Sequence, residues 1–270
     1  MIHISHRSSV ESELTAVAFG DQPGRWPLPA ATTPHQQWLR AVAAGGQGRY
    51  GTAYADLAAL RGAAPSDRLS SLAHSAHASF LRQLGWHSLA RGWDGRAWAL
   101  AGDDPEAAGD ALIGLAADAL GVGRLVAAAV LLQRADPFVA QAPPRLAIRK
   151  AWVAAELAMC GGDGGIAVGN AEVAVELAAT QLGSARHRAK SQVVLAAALC
   201  SSGALDRARD VADAALELTG QLGLVPLRWA AACLLVDLGT ETPTRIAELR
   251  DLRDGCALRV EHWGGAWRKL

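Results

Sequence analysis

Apolar residues recur at three- and four-residue spacing along most of the chain, with no convincing run of period-two alternation rich in β-branched residues. The pattern predicts helices and no sheet. Superimposed on it, the spacing Ala-x6-Gly-x4-Ala returns at Ala41/Gly48/Ala53, Ala78/Gly85/Ala90, Ala116/Gly123/Ala128, Ala155/Gly162/Ala167 and Ala196/Gly203/Ala208. A sixth copy, Ala232/Gly239, has Thr244 in the last place. The glycines stand 36 to 41 residues apart, a period that marks an array of supersecondary units. Each unit fits two antiparallel helices around a turn at the glycine, which supplies the left-handed conformation that ends a helix. In the fifth unit the predicted helices cover 188–201 and 205–219, and the alanines on either side of the break let the two backbones approach closely.

Punctuation divides the chain into three parts. Residues 1–32 read as an irregular N-terminal tail, broken by Pro23, Gly24, Pro27 and Pro29, with Trp26 available to pin it to the array. The array, 33–242, opens on a helix start with Thr33 as N-cap and Pro34 at the first helical position. In 243–270, Arg245, Glu248, Arg250, Asp251, Arg253 and Asp254 alternate with Ile246, Leu249, Leu252 and Leu258, which suits a capping helix with one wet face followed by a short tail.

With these residues in place the array resembles the tetratricopeptide repeat family. The family's sequence of small residue, glycine, alanine and large residue, with a proline after it, falls on Ala41, Gly48, Ala53, Leu57 and Pro65, and a further conserved-type alanine of the unit falls on Ala97, Ala135, Ala174 and Ala215. The match spans about 230 residues but departs from a 34-residue unit, since every interval is longer, and Asp94 stands where a large side chain belongs. The resemblance implies an all-α, right-handed α-solenoid of about six antiparallel helix pairs. It also implies that a partner is met on the concave face, lined by the first helix of each pair. Carried over unit by unit, that face holds His35 and Trp38; Ser75, Ser79, Arg82 and Gln83; Asp110 and Ile113; Arg149, Trp152, Glu156 and Met159; Lys190, Val193 and Cys200; and Trp229, Val236 and Asp237. Trp38, Arg82, Arg149, Trp152, Glu156, Lys190 and Trp229 are the candidate binding residues, because Trp and Arg are enriched where binding energy concentrates. Arg82, Arg149 and Lys190 would make the middle of that face mildly basic and receptive to a carboxylate. Family members that clamp an acidic chaperone tail use two asparagines there; this chain has a single one, Asn170, on a predicted second helix, which disfavours that role.

Composition narrows the classes. Apolar residues make up 51% of the chain and aromatics 5%, so the core must be built largely from alanine methyls, which closely packed helices allow. Formal net charge is zero, with 26 basic and 26 acidic residues, and nothing invites nucleic acid or an anionic membrane. The excess of Arg over Lys with abundant Ala and Gly fits a high-GC, bacterial coding sequence and has no functional weight. Cys160, Cys200, Cys233 and Cys256 form no paired motif and are expected to be buried small hydrophobes in a reducing compartment. No apolar run reaches the length of a membrane span and no secretory leader is visible, so a cytoplasmic protein is expected.

No catalytic constellation emerges. None of Lys150, Lys190 and Lys269 follows a glycine as a phosphate loop requires. Gly162-Asp163-Gly164-Gly165-Ile166-Ala167 matches a dinucleotide fingerprint in letters but follows a predicted helix rather than a strand. His74 and His77 share a helical face without further ligands, and Asp103-Asp104-Pro105 with Glu106 and Asp110 reads as a helix cap rather than a magnesium site. Trp86, Trp93 and Trp98, with His87 and Arg91, read as an exposed cluster able to anchor a partner or a second copy. The expectation is a non-enzymatic scaffold or adaptor that binds a peptide segment of a partner, without metal or cofactor. The alternatives are a sensor module for a small peptide or metabolite and, lower, an all-α enzyme.

Overall fold

The computed structural model describes residues 2–63, 66–239 and 242–269, with side chains from Ser9 onward, so Pro65 lies outside the described residues. These residues form thirteen helices and no strand: α1 (Ile2–Phe19), α2 (Pro34–Gly46), α3 (Tyr50–Gly62), α4 (Asp67–Gln83), α5 (His87–Ala101), α6 (Pro105–Gly121), α7 (Leu125–Val139), α8 (Arg145–Cys160), α9 (Gly164–Thr180), α10 (Ala185–Ser201), α11 (Leu205–Gln221), α12 (Val225–Leu238) and α13 (Pro243–His262). The helix ends follow local chemistry. All six repeat glycines have positive φ, from 70° at Gly239 to 87° at Gly48 and Gly85. At the first five the same pair of hydrogen bonds closes the turn; at Gly48, for example, its own N–H donates to the Gly45 carbonyl at 3.1 Å and that of Arg49 to the Ala44 carbonyl at 2.9 Å. Side-chain caps start α2, α4, α6, α9, α10 and α13, from Thr33, Ser66, Asp104, Asp163, Ser184 and Thr242.

Consecutive helices pack against each other, and each even-numbered helix from α2 to α12 also touches the next even-numbered one. The even helices thus form a continuous inner layer, with α3, α5, α7, α9, α11 and α13 outside it. The alanines of the repeat sit at the crossings: Ala41, Ala53, Ala78, Ala90, Ala116, Ala128, Ala155, Ala167, Ala196, Ala208 and Ala232 are all 0% exposed. A methyl group is the largest side chain those contacts admit.

The N-terminal segment corrects the expectation of an irregular tail. Residues 2–19 are helical because no glycine or proline interrupts them before Gly20, and Leu14, Val17 and Ala18 are buried on one face. Tertiary burial here supports a helix that its polar composition does not advertise. Only residues 20–32 are irregular, and they act as a strap. The Gly20 carbonyl accepts from the Ala185 N–H, the Gln47 side-chain amide donates to the Pro23 and Arg25 carbonyls, and Gly24 lies against Leu222.

The far end of the chain returns to the same place. The Trp263 carbonyl accepts from the Gly51 N–H at 2.8 Å, the Arg268 N–H donates to the Leu84 carbonyl at 2.9 Å, and the Trp86 indole donates to the Ala266 carbonyl at 2.7 Å. Arg49 lies between the Trp26 and Trp263 rings, 3.9 and 4.0 Å from their centroids. One core cluster accordingly joins Trp38, Leu39 and Tyr50 to Val225, Cys256 and Val260, so the two ends of the array share an interior. No described helix is long and apolar enough to cross a membrane.

Two further expectations need correction. Of the four cysteines only Cys256 is buried; Cys160 is exposed, because it ends α8 at the turn to α9. The tryptophans read as an exposed cluster are half-buried and engaged: Trp86 holds the C-terminal tail, Trp93 stacks on His77 at 3.8 Å, and Trp98 meets Phe138 edge-on.

Several glycines inside inner helices make room for a neighbour. A Cβ on Gly114 would fall within the Asp94 carboxyl group, and one on Gly121 within the His87 ring. Replacing a mid-helix glycine by alanine ordinarily gains roughly 0.5–1 kcal/mol. We expect Gly92→Ala, which meets nothing within 4 Å, to follow that rule, and Gly114→Ala to reverse it with a loss of more than about 1 kcal/mol. Denaturant unfolding of the two variants beside the parent protein checks the opposite signs.

Candidate functional site

The inner layer surrounds a chamber of about 460 Å³, lined by residues of α1, α2, α4, α5, α6, α8, α10 and α12. Small-molecule sites usually fall between roughly 300 and 1,000 Å³. All seven candidate binding residues, Trp38, Arg82, Arg149, Trp152, Glu156, Lys190 and Trp229, line this one chamber. They come from five helices and more than 190 positions of sequence. Ser79, Gln83, Asp110 and Ile113 join them, whereas His35 turns instead to Glu11 at 3.0 Å and Val193 is buried in a separate cluster.

The walls are aromatic. Trp38 is buried against Phe19, whose ring centroid is 5.4 Å away, and its indole nitrogen has no hydrogen-bond partner among the described residues. Trp152 donates its indole N–H to the Ser191 hydroxyl at 2.9 Å and stacks on His187 at 5.4 Å. Trp229 meets Trp267 of the C-terminal tail at 4.5 Å. Phe19, on α1, has two guanidinium groups over its ring, Arg145 at 5.7 Å and Arg186 at 5.8 Å.

The cations are not the solvated charges a basic groove would present. Arg82 donates to Asp94 and, at 3.0 Å, to Asp118, both carboxylates being fully buried. Burial disfavours the charge on Arg82, but these two acids outweigh it and raise its pKa. Burial likewise pushes the Asp94 carboxyl upward against the pull of Arg82, with Asp118 adding to the rise. Asp94, the residue that breaks the repeat pattern, is therefore one of the two acids, with Asp118, that let Arg82 stand inside.

A second network lies beside the first. Asp110 accepts from Arg145 at 3.1 Å and pairs with Arg149, while Arg145 also reaches Glu106 at 2.9 Å. Burial opposes ionisation of Asp110, yet Arg145 and Arg149 outweigh it and hold its carboxyl below the ordinary range. Lys190 pairs with Glu156 at 3.3 Å over the Trp152 ring. Glu106 and Asp110, Arg145 and Arg149, and Arg186 and Lys190 are each four residues apart, one helical turn, on α6, α8 and α10.

Arg186 differs from the rest. It lines the chamber, forms no ion pair among the described residues, and donates only from Nη2, to the Ala18 carbonyl at 3.2 Å, while its Nε is buried without an acceptor. Burial, then Arg149 and Arg145, bring its pKa down to about 10. A Cβ on Gly46 would lie 2.9 Å from its Cδ, so a glycine on α2 clears its path. Beside it, burial followed by Arg186, Arg145 and Arg149 keeps the His187 imidazole neutral, well below its usual pKa.

The other candidate chemistry resolves into structure. Asp104 caps α6 by accepting from the Ala107 N–H at 2.8 Å. His74 hydrogen-bonds the Ser70 carbonyl, His77 packs between Tyr54 and Trp93, and no group of three or more acidic, His or Cys side chains among the described residues is arranged to hold a metal ion. Gly162 is a helix-to-helix turn that follows α8, so the strand a dinucleotide fingerprint needs is replaced by helix. Compared with protein-family models and with curated proteins, the chain matches none.

The histidines set a pH dependence. His77 is held at about 4 by burial and by Arg61 and His74, so the folded state binds fewer protons than the unfolded state below the ordinary histidine range near 6.5. Its contribution is complete above that value and is lost as pH falls toward 4. A His77→Phe variant, which keeps a ring against Trp93, should therefore gain thermal stability relative to the parent as pH drops from about 7 to about 5. Melting curves of both proteins across that interval test the sign.

Proposed function

We propose that the chain is a non-enzymatic binding module that holds a small molecule or a very short peptide in the chamber, as a sensor or carrier would. The inner and outer layers are read as six right-handed helix hairpins of tetratricopeptide type, wound until the first and last meet. The observation that carries the proposal is the convergence of seven candidate residues from five helices on one chamber, in a fold whose segments 20–32 and 263–268 bridge distant helices. An extended partner peptide needs a groove open along its length, and straps at 20–32 and 263–268 favour a compact occupant instead. Aromatic walls with a few placed charges are what such a site requires, and the ion-paired arginines favour positioning over proton transfer.

A partner protein, the expectation raised by the repeat resemblance, is better served by the outer face. There Val126 and Val130 on α7 and Ile166 and Val173 on α9 are exposed. The two readings part in one experiment. After incubation with deproteinised cell extract and desalting, the purified protein should carry a small-molecule adduct in native mass spectrometry. Ala117→Trp, which places an indole in the chamber, should lose that adduct while keeping its helical spectrum. Absence of any adduct, or equal adducts on both proteins, removes the chamber reading.

A further inference from the structure

Resting on that reading, we infer that the occupant is a carboxylate with an aromatic or broad apolar body, anchored by Arg186 with Arg149 beside it. Arg82 has two carboxylates, Arg145 has two, Lys190 has one, and Arg149 shares Asp110 with Arg145. Among the arginines and lysine lining the chamber, Arg186 alone has none among the described residues. An uncompensated cation held largely out of bulk water costs free energy, and the chamber is the space from which a counter-charge can approach. Gly46 leaves room for this side chain, so its placement depends on a deliberate gap in α2 rather than on spare surface.

Geometry then selects the anion. A planar guanidinium matches a carboxylate, and with the neighbouring cations already committed to acids there is one charge to satisfy rather than the two or more of a phosphate group. The remainder of the ligand meets Trp38, Trp152 and Trp229, which give the chamber's lining its aromatic character. The neutral His187, stacked on Trp152, contributes a further polar contact without adding charge.

The test uses the 270-residue chain and three aromatic acids, hydrocinnamate, naphthoate and biphenylcarboxylate, each against its primary amide, by calorimetry and thermal shift. For at least one pair the acid should bind about tenfold or more tightly than the amide and raise the melting temperature further. Arg186→Met should abolish that preference, keep its amide affinity, and melt no lower than the parent without ligand, because the uncompensated charge is gone. Arg186→Gln provides the same comparison should the methionine variant fail to fold. Equal affinity for acids and amides overturns the carboxylate assignment and leaves the chamber reading standing. A preference that survives both substitutions, or no binding of any of the six probes, also overturns the assignment, whereas the extract adduct judges the chamber separately.

Discussion

The structure depends on how closely helix backbones can approach. At each crossing of the repeat a single alanine methyl stands where a larger side chain would force the layers apart, and all of these alanines through Ala232 are sealed from solvent. Close approach in the inner layer, where even-numbered helices touch successive even-numbered helices, makes that layer shorter than the outer one. A layered array with a short inside must curve. With enough units, curvature brings α12 beside α2 and converts an inner face into an enclosure.

Enclosure changes the physics of every polar group that faces inward. On an open surface the arginines would be hydrated and nearly independent of one another; inside, each requires an acid within reach, and the acids come from other helices. Asp94 and Asp118 serve Arg82 from α5 and α6, and Glu106 and Asp110 serve Arg145 from α6. The zero net charge of the chain is thus also a local arrangement, and Arg186 is conspicuous because it stands outside it.

Much of this was legible in the sequence, for definable reasons. The repeat glycines could be found because a left-handed backbone turn admits few residues, and the fifth unit's predicted helices lie within or close to α10 and α11. The chamber residues could be found because a helix face is fixed by register. What escaped has an equally physical cause. The glycines are more than 34 residues apart, and α6, α8 and α10 start about a turn before the register carried over: Glu106, Arg145 and Arg186 precede Asp110, Arg149 and Lys190 by four residues and fall just outside it. The pairing of charges was hidden because partners such as Arg82 and Asp118 are 36 positions apart and periodicity says nothing about which side chains meet across a curved layer. Gly46, Gly114 and Gly121 were unreadable for a third reason, since the side chains they admit belong to other helices.

The grip of Trp26 and Trp263 on Arg49 has a kinetic meaning. Its members are 237 positions apart, so the contact cannot form until Trp263 and everything before it have been made. Earlier helices can pair locally as they emerge, but the apolar surface that Val225, Cys256 and Val260 later cover on Trp38 and Tyr50 must wait. Ring closure is therefore the non-local step of folding, and a nascent chain passes through an open, sticky arc before it becomes a vessel.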